Sequence, residues 1–110
     1  MDPIFAIVSS GANVSGDLDL RKRRLVGIYM PTVNSAALAL QGNSDTTSAT
    51  FFRFLETRAP GSGDMLLACG VGSRFLPLSG FETPPYMRLE FVTAAGSFQT
   101  DNRTMTLLTR

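Results

Sequence analysis

The feature that most limits how this chain can fold is an alternation of apolar and polar or small residues with a period of two. Met87, Leu89 and Phe91 alternate with Tyr86, Arg88 and Glu90, which is the signature of a strand buried on one face and wet on the other. Val26, Ile28 and Met30 alternate with Gly27 and Tyr29. Leu38 and Leu40 alternate with Ala39 and Gln41. Met105 and Leu107 are set among Thr104, Thr106 and Thr109, a composition that suits a pleated surface because β-branched threonine fits it.

Turn residues break the chain at intervals that agree. Gly11, Gly16, Pro31, Gly42-Asn43-Ser44-Asp45, Pro60-Gly61-Ser62-Gly63-Asp64, Gly70, Gly72, Ser79-Gly80, Pro84-Pro85 and Gly96 punctuate it with the spacing of an all-β sandwich or barrel. Strands are expected at 4–8, 16–20, 24–30, 37–42, 50–57, 65–69, 73–78 and 86–93, with a ninth at 103–109. The alanine-rich stretch Val33 to Leu40 opens with a turn at most, since it runs straight into a strand pattern. With 110 residues, 44% of them apolar, there is one core to close. Eight to nine antiparallel strands over one core predict an all-β, jelly-roll-like sandwich.

The first 16 residues stand apart. Ile4, Phe5, Ile7 and Val8 form an apolar run without alternation, followed by a Ser/Gly/Asn linker to Gly16. We expect an N-terminal strand or arm with its linker at 1–16 and a β-sandwich domain at 17–110. The arm either completes its own sandwich or adds to a neighbouring subunit's sheet. Met1-Asp2-Pro3 carries no basic leader, and the run Ile4–Val8 is too short for a signal peptide or a membrane span.

Several chemistries are excluded by residue type. The chain has no histidine, so Ser-His-Asp and Cys-His catalysis and the usual zinc sites cannot be built from one copy. Cys69 is the single cysteine; it can form no internal disulfide, and its apolar setting predicts a small buried side chain. The nine carboxylates are scattered. Asp17 and Asp19 form the one close pair and belong on the outward face of a strand around Leu18, with nothing to mark a glycosidase. Asn43-Ser44-Asp45 is a turn and lacks the calcium-loop pattern. Gly70-Val71-Gly72 has no phosphate-loop lysine. No catalytic, cofactor-binding or metal residue is expected, and no small-molecule substrate.

The run Arg21-Lys22-Arg23-Arg24 is the strongest charge feature. Nucleic acid is a poor partner for it: net charge is only +1, there is no tryptophan, and no aromatic platform precedes Tyr29. Strand alternation would also split the four cations between two faces unless the run is a turn. Two readings remain, a solvated entry to the strand that follows and a local contact with an acidic protein surface.

Taken together, Asp19-Leu20, Arg24-Leu25-Val26-Gly27-Ile28-Tyr29-Met30-Pro31, Leu38-Ala39-Leu40-Gln41-Gly42-Asn43-Ser44-Asp45, Arg74-Phe75-Leu76-Pro77-Leu78, Met87-Arg88-Leu89 and the ending Arg103-Thr104-Met105-Thr106-Leu107-Leu108-Thr109-Arg110 resemble a family of short virion proteins of tailed bacteriophages. Its members pair an LVGI-x-MP strand with an L-x-FQ-x-S-x-D strand and end on R-T-L-T-L-x-x-R. The sequence departs from this pattern after Asp45, where the family has glycine. The resemblance implies a β-sandwich on the outside of the phage head, made in the host cytoplasm. It would be a decoration or cement protein, a homotrimer bound to the major capsid protein and bridging capsomers. Many weak copies on a repeating lattice would supply the strength. Ile4, Phe5, Ile7 and Arg21, Lys22, Arg23 and Arg24 are the expected protein-contact residues. The alternative is a tail or fibre module that recognises carbohydrate or a host surface, for which Tyr29 and Tyr86 offer little aromatic surface.

Overall fold

The computed structural model describes residues 3–44, 50–56, 61, 63–70, 72–78 and 82–110. The expected turn residues Asp45, Pro60, Ser62, Val71, Ser79 and Gly80, together with Thr57 of the fifth expected strand, lie outside the described residues. Among those described there are nine strands and no helix: β1 (Ile4–Val8), β2 (Leu18–Asp19), β3 (Leu25–Met30), β4 (Ala37–Asn43), β5 (Phe52–Arg53), β6 (Leu66–Ala68), β7 (Arg74–Pro77), β8 (Tyr86–Val92) and β9 (Arg103–Thr109). Every strand expected from the alternation is present, several of them shorter than expected.

Two antiparallel sheets result. The first runs β1-β9-β3-β7; the second runs β2-β8-β4-β5, with β6 also on β4. The pairing is nested along the chain: β1 lies on β9, β2 on β8, β3 on β7, and β4 on β5 and β6. The inward side chains of both sheets meet in one core. Val8, Ile28, Met105 and Leu107 come from the first sheet, and Leu38, Leu40, Met87, Leu89 and Phe91 from the second. Each such side chain contributes about 1.5–3 kcal/mol on burial, so the sandwich is held chiefly by this layer. β8 alternates as its sequence predicts, with Met87, Leu89 and Phe91 inside.

Three local expectations are corrected. In β3 the inward residues are Leu25, Ile28 and Met30, and Val26 is not among them. A β-bulge between Leu25 and Gly27 shifts the register against β9 and reverses the parity of the strand. In β1 the alternation exists after all: Ala6 and Val8 are fully buried while Phe5 and Ile7 face outward. It was concealed because the outward residues are themselves apolar. Cys69 is half-buried and packs at the margin of the core. Its thiol donates to the Ser35 carbonyl oxygen at 3.5 Å, and burial pushes its pKa upward.

β1 pairs with β9 of the same chain, and the linker behind it is hydrogen-bonded along its length. The Gly11 amide donates to the Gln99 carbonyl at 2.8 Å, the Ser15 amide to Leu89 at 2.9 Å, and the Phe91 amide to Asn13 at 2.8 Å. A buried glutamine ties this segment down. Gln99 Oε1 accepts from the Asn34 amide at 2.9 Å, and its Nε2 donates to Asn13 Oδ1 at 3.2 Å. A buried amide satisfied on both sides fixes the loops that it joins.

Candidate protein-interaction surfaces

The basic run is a turn. Lys22 has φ of +60°, a left-handed conformation that bulky residues seldom adopt, and this geometry ends the segment that follows β2. The turn is closed by Asp19, whose carboxylate accepts from the Arg21 amide at 3.1 Å, from Arg21 Nε at 3.0 Å and from Arg21 Nη2 at 2.8 Å. The side-chain bonds from Arg21, helped by the backbone one, hold the Asp19 carboxyl down at about 2. Arg21 also stands 5.4 Å from the centre of the Tyr86 ring. Arg24 is joined to the chain end instead, through paired backbone bonds with Arg110 of 2.7 and 2.8 Å.

Of the seven residues expected to make protein contacts, the structure gathers four. Ile4, Arg21, Lys22 and Arg23, together with Asp19, border one open hollow of about 570 Å³. Phe5 and Ile7 are elsewhere, on the outer face of the first sheet, each 54% exposed. Arg24 is exposed beside the turn.

With the expected contact residues Phe5 and Ile7, the outer face of the first sheet brings together Tyr29, Phe75, Thr106 and Leu108. Register places Phe5 opposite Thr106, Thr106 opposite Tyr29, and Tyr29 opposite Phe75, forming one row across all four strands. The Tyr29 and Phe75 rings lie 4.7 Å apart and are tilted by 45°. Beside this row are Ile7 and Leu108, both exposed, and Gly27, which is buried beneath the Phe75 ring; a Cβ at Gly27 would overlap that ring. The outward positions are thus phenylalanine, isoleucine, threonine, leucine, tyrosine, glycine and proline, with no charge among them. The signal was present in the sequence, but it required the parity of four strands to be known at once.

The outer face of the second sheet is built differently. Arg53 donates from Nε and Nη2 to Glu90 at 2.9 and 2.5 Å and from Nη1 to Asp64 at 2.9 Å. Gln41 Nε2 donates to the same Glu90 carboxylate at 2.5 Å. Arg88 Nε donates to Asp17 at 2.6 Å while its guanidinium stacks 4.0 Å from the centre of the Phe51 ring. The Arg53 hydrogen bonds outweigh desolvation at Glu90 and lower its pKa.

Asp17 and Asp19 point outward as the strand reading requires, but each is engaged by its own arginine. Among the described residues no group of three or more histidine, cysteine, aspartate or glutamate side chains is placed to hold a metal ion. In comparisons with known proteins, the chain matches no family model, no curated protein and no solved structure.

Proposed function

We propose that the chain is a structural protein of a tailed-bacteriophage particle, a decoration or cement protein that sits on the outer surface of the head and binds the major capsid protein. The observation that carries this reading is the border of the open hollow. Ile4 from β1 and the cations Lys22 and Arg23 stand around one space beside the Arg21–Asp19 ion pair, an apolar contact next to net positive charge that suits an acidic protein surface. The nested strand pairing supports the finer jelly-roll reading of the sandwich. Trimer closure on the lattice is the stoichiometry that the resemblance implies, with avidity over many copies making up for a modest single contact.

The test is attachment to particles that lack this protein. Changing Lys22 and Arg23 to serine leaves the fold intact, weakens attachment and flattens its dependence on salt, because the screened contact has been removed. Wild-type protein that does not attach to such particles overturns the proposal.

A further inference from the structure

We propose that the outer face of the first sheet is a contact between copies of this chain. Four strands present Phe5, Ile7, Tyr29, Phe75, Thr106 and Leu108 to the outside without one charged side chain among them. A wet sheet face normally alternates apolar inside with polar outside. Here both faces are apolar or neutral, as in a sheet packed on both sides.

The choice of a second copy rests on charge and on area. A neutral face meets an identical neutral face without repulsion and strands no charge, so it is complementary to itself across a two-fold axis. An aromatic side chain carries roughly 150–250 Å², so three rings about half exposed, with Ile7 and Leu108, offer on the order of 500 Å² per copy. Two such patches reach about 1,000 Å² in total, the lower limit for a specific interface. The contact is therefore weak and depends on concentration. The strand ends around the face carry Arg24, Arg74 and Arg110, so salt strengthens self-association by screening the rim. Salt has the opposite effect on a contact between the basic turn and an acidic partner. The inference does not depend on where the protein resides, and it stands if the virion reading fails.

Sedimentation velocity of the full chain, up to about 100 µM and at low and high salt, tests it. Wild-type protein sediments as more than a monomer, increasingly so with concentration and salt. Thr106→Lys sets a charge in the centre of the row and weakens association roughly 100-fold, because an ammonium is left unpaired in a contact stripped of water, while circular dichroism stays unchanged. Where Thr106→Lys does not fold, Ile7→Lys on the edge strand gives the same reading. Wild-type protein that stays monomeric throughout, even if it takes up an apolar dye or another protein on this face, overturns the proposal. So does a folded lysine variant that associates as wild type does.

Discussion

The two outer faces of this sandwich rest on the same core and follow the same pleat, but they differ in charge. The second sheet's face carries ion pairs beside the exposed Leu66, and the row across the first sheet carries none. On the second sheet Glu90, Arg53, Asp64, Gln41, Asp17 and Arg88 satisfy one another through bonds of 2.5–2.9 Å. On the first, the row Phe5, Thr106, Tyr29, Phe75 offers a partner only apolar surface and hydroxyls. An ionic network facing water is complete as it stands. An uncharged face of this width gains free energy only when something covers it. The difference separates surface that belongs to solvent from surface that awaits a neighbour.

The largest effect comes from the layer that both faces share. Phe91 is almost fully buried between the sheets, and Phe91→Ala is expected to cost about 3–5 kcal/mol, measured by denaturant unfolding. Both faces lose their support together, so self-association and the ionic network fail in the same variant.

The next effect belongs to the ionic face alone. Glu90→Gln leaves Arg53 and Gln41 without their shared carboxylate and is expected to cost about 1–2 kcal/mol at pH 7. The pH dependence has a definite sign. Glu90 is held below its ordinary value when folded, so the folded state binds fewer protons than the unfolded one near pH 4. The stability it contributes is present above about pH 4.3 and is lost as pH falls through the folded value. Asp19 acts in the same sense between its ordinary 3.8 and about 2. Thermal melts are therefore expected to fall in acid, less steeply in Glu90→Gln, and to stay flat between about pH 5 and 8 because the chain has no histidine to titrate there. Self-association at pH 7 is unchanged in this variant.

A smaller effect falls on the neutral face. Gly27→Ala is expected to cost about 1 kcal/mol by driving the Phe75 ring off the sheet, visible as a change in the tyrosine and phenylalanine near-ultraviolet signal. Because Phe75 belongs to the proposed contact, self-association weakens more than stability does.

Particular residues show what can be seen without coordinates. β8 is legible because its inward residues are large and apolar and its outward ones include Arg88 and Glu90. β1 was obscured by Phe5 and Ile7, since a strand that is apolar on both faces has no period to detect. The inserted residue at Val26 shifted β3 by one position, and period-two reasoning has no means of sensing a bulge. Residue types alone leave the basic run open between strand and turn; Lys22 at positive φ decides it, a backbone state that lysine does not advertise. Partners such as Arg53 and Glu90, 37 residues apart, come together only through the pairing of β4 with β5 and β8. The hollow bordered by Ile4 and Arg21 arises for the same kind of reason, since its two sides come from separate elements.

The most direct test of the claim that the faces differ in role uses a matched pair of substitutions. Ile7 on β1 and Leu66 on β6 both sit on short strands and are 54% and 49% exposed, Ile7 on the neutral face and Leu66 on the opposite sheet. Lysine at each position adds the same charge at the same depth. Sedimentation of the two variants beside wild type is expected to show Ile7→Lys as a monomer and Leu66→Lys associating as wild type does. If Leu66→Lys dissociates while Ile7→Lys does not, or if the two variants cannot be told apart, the assignment of the faces is contradicted.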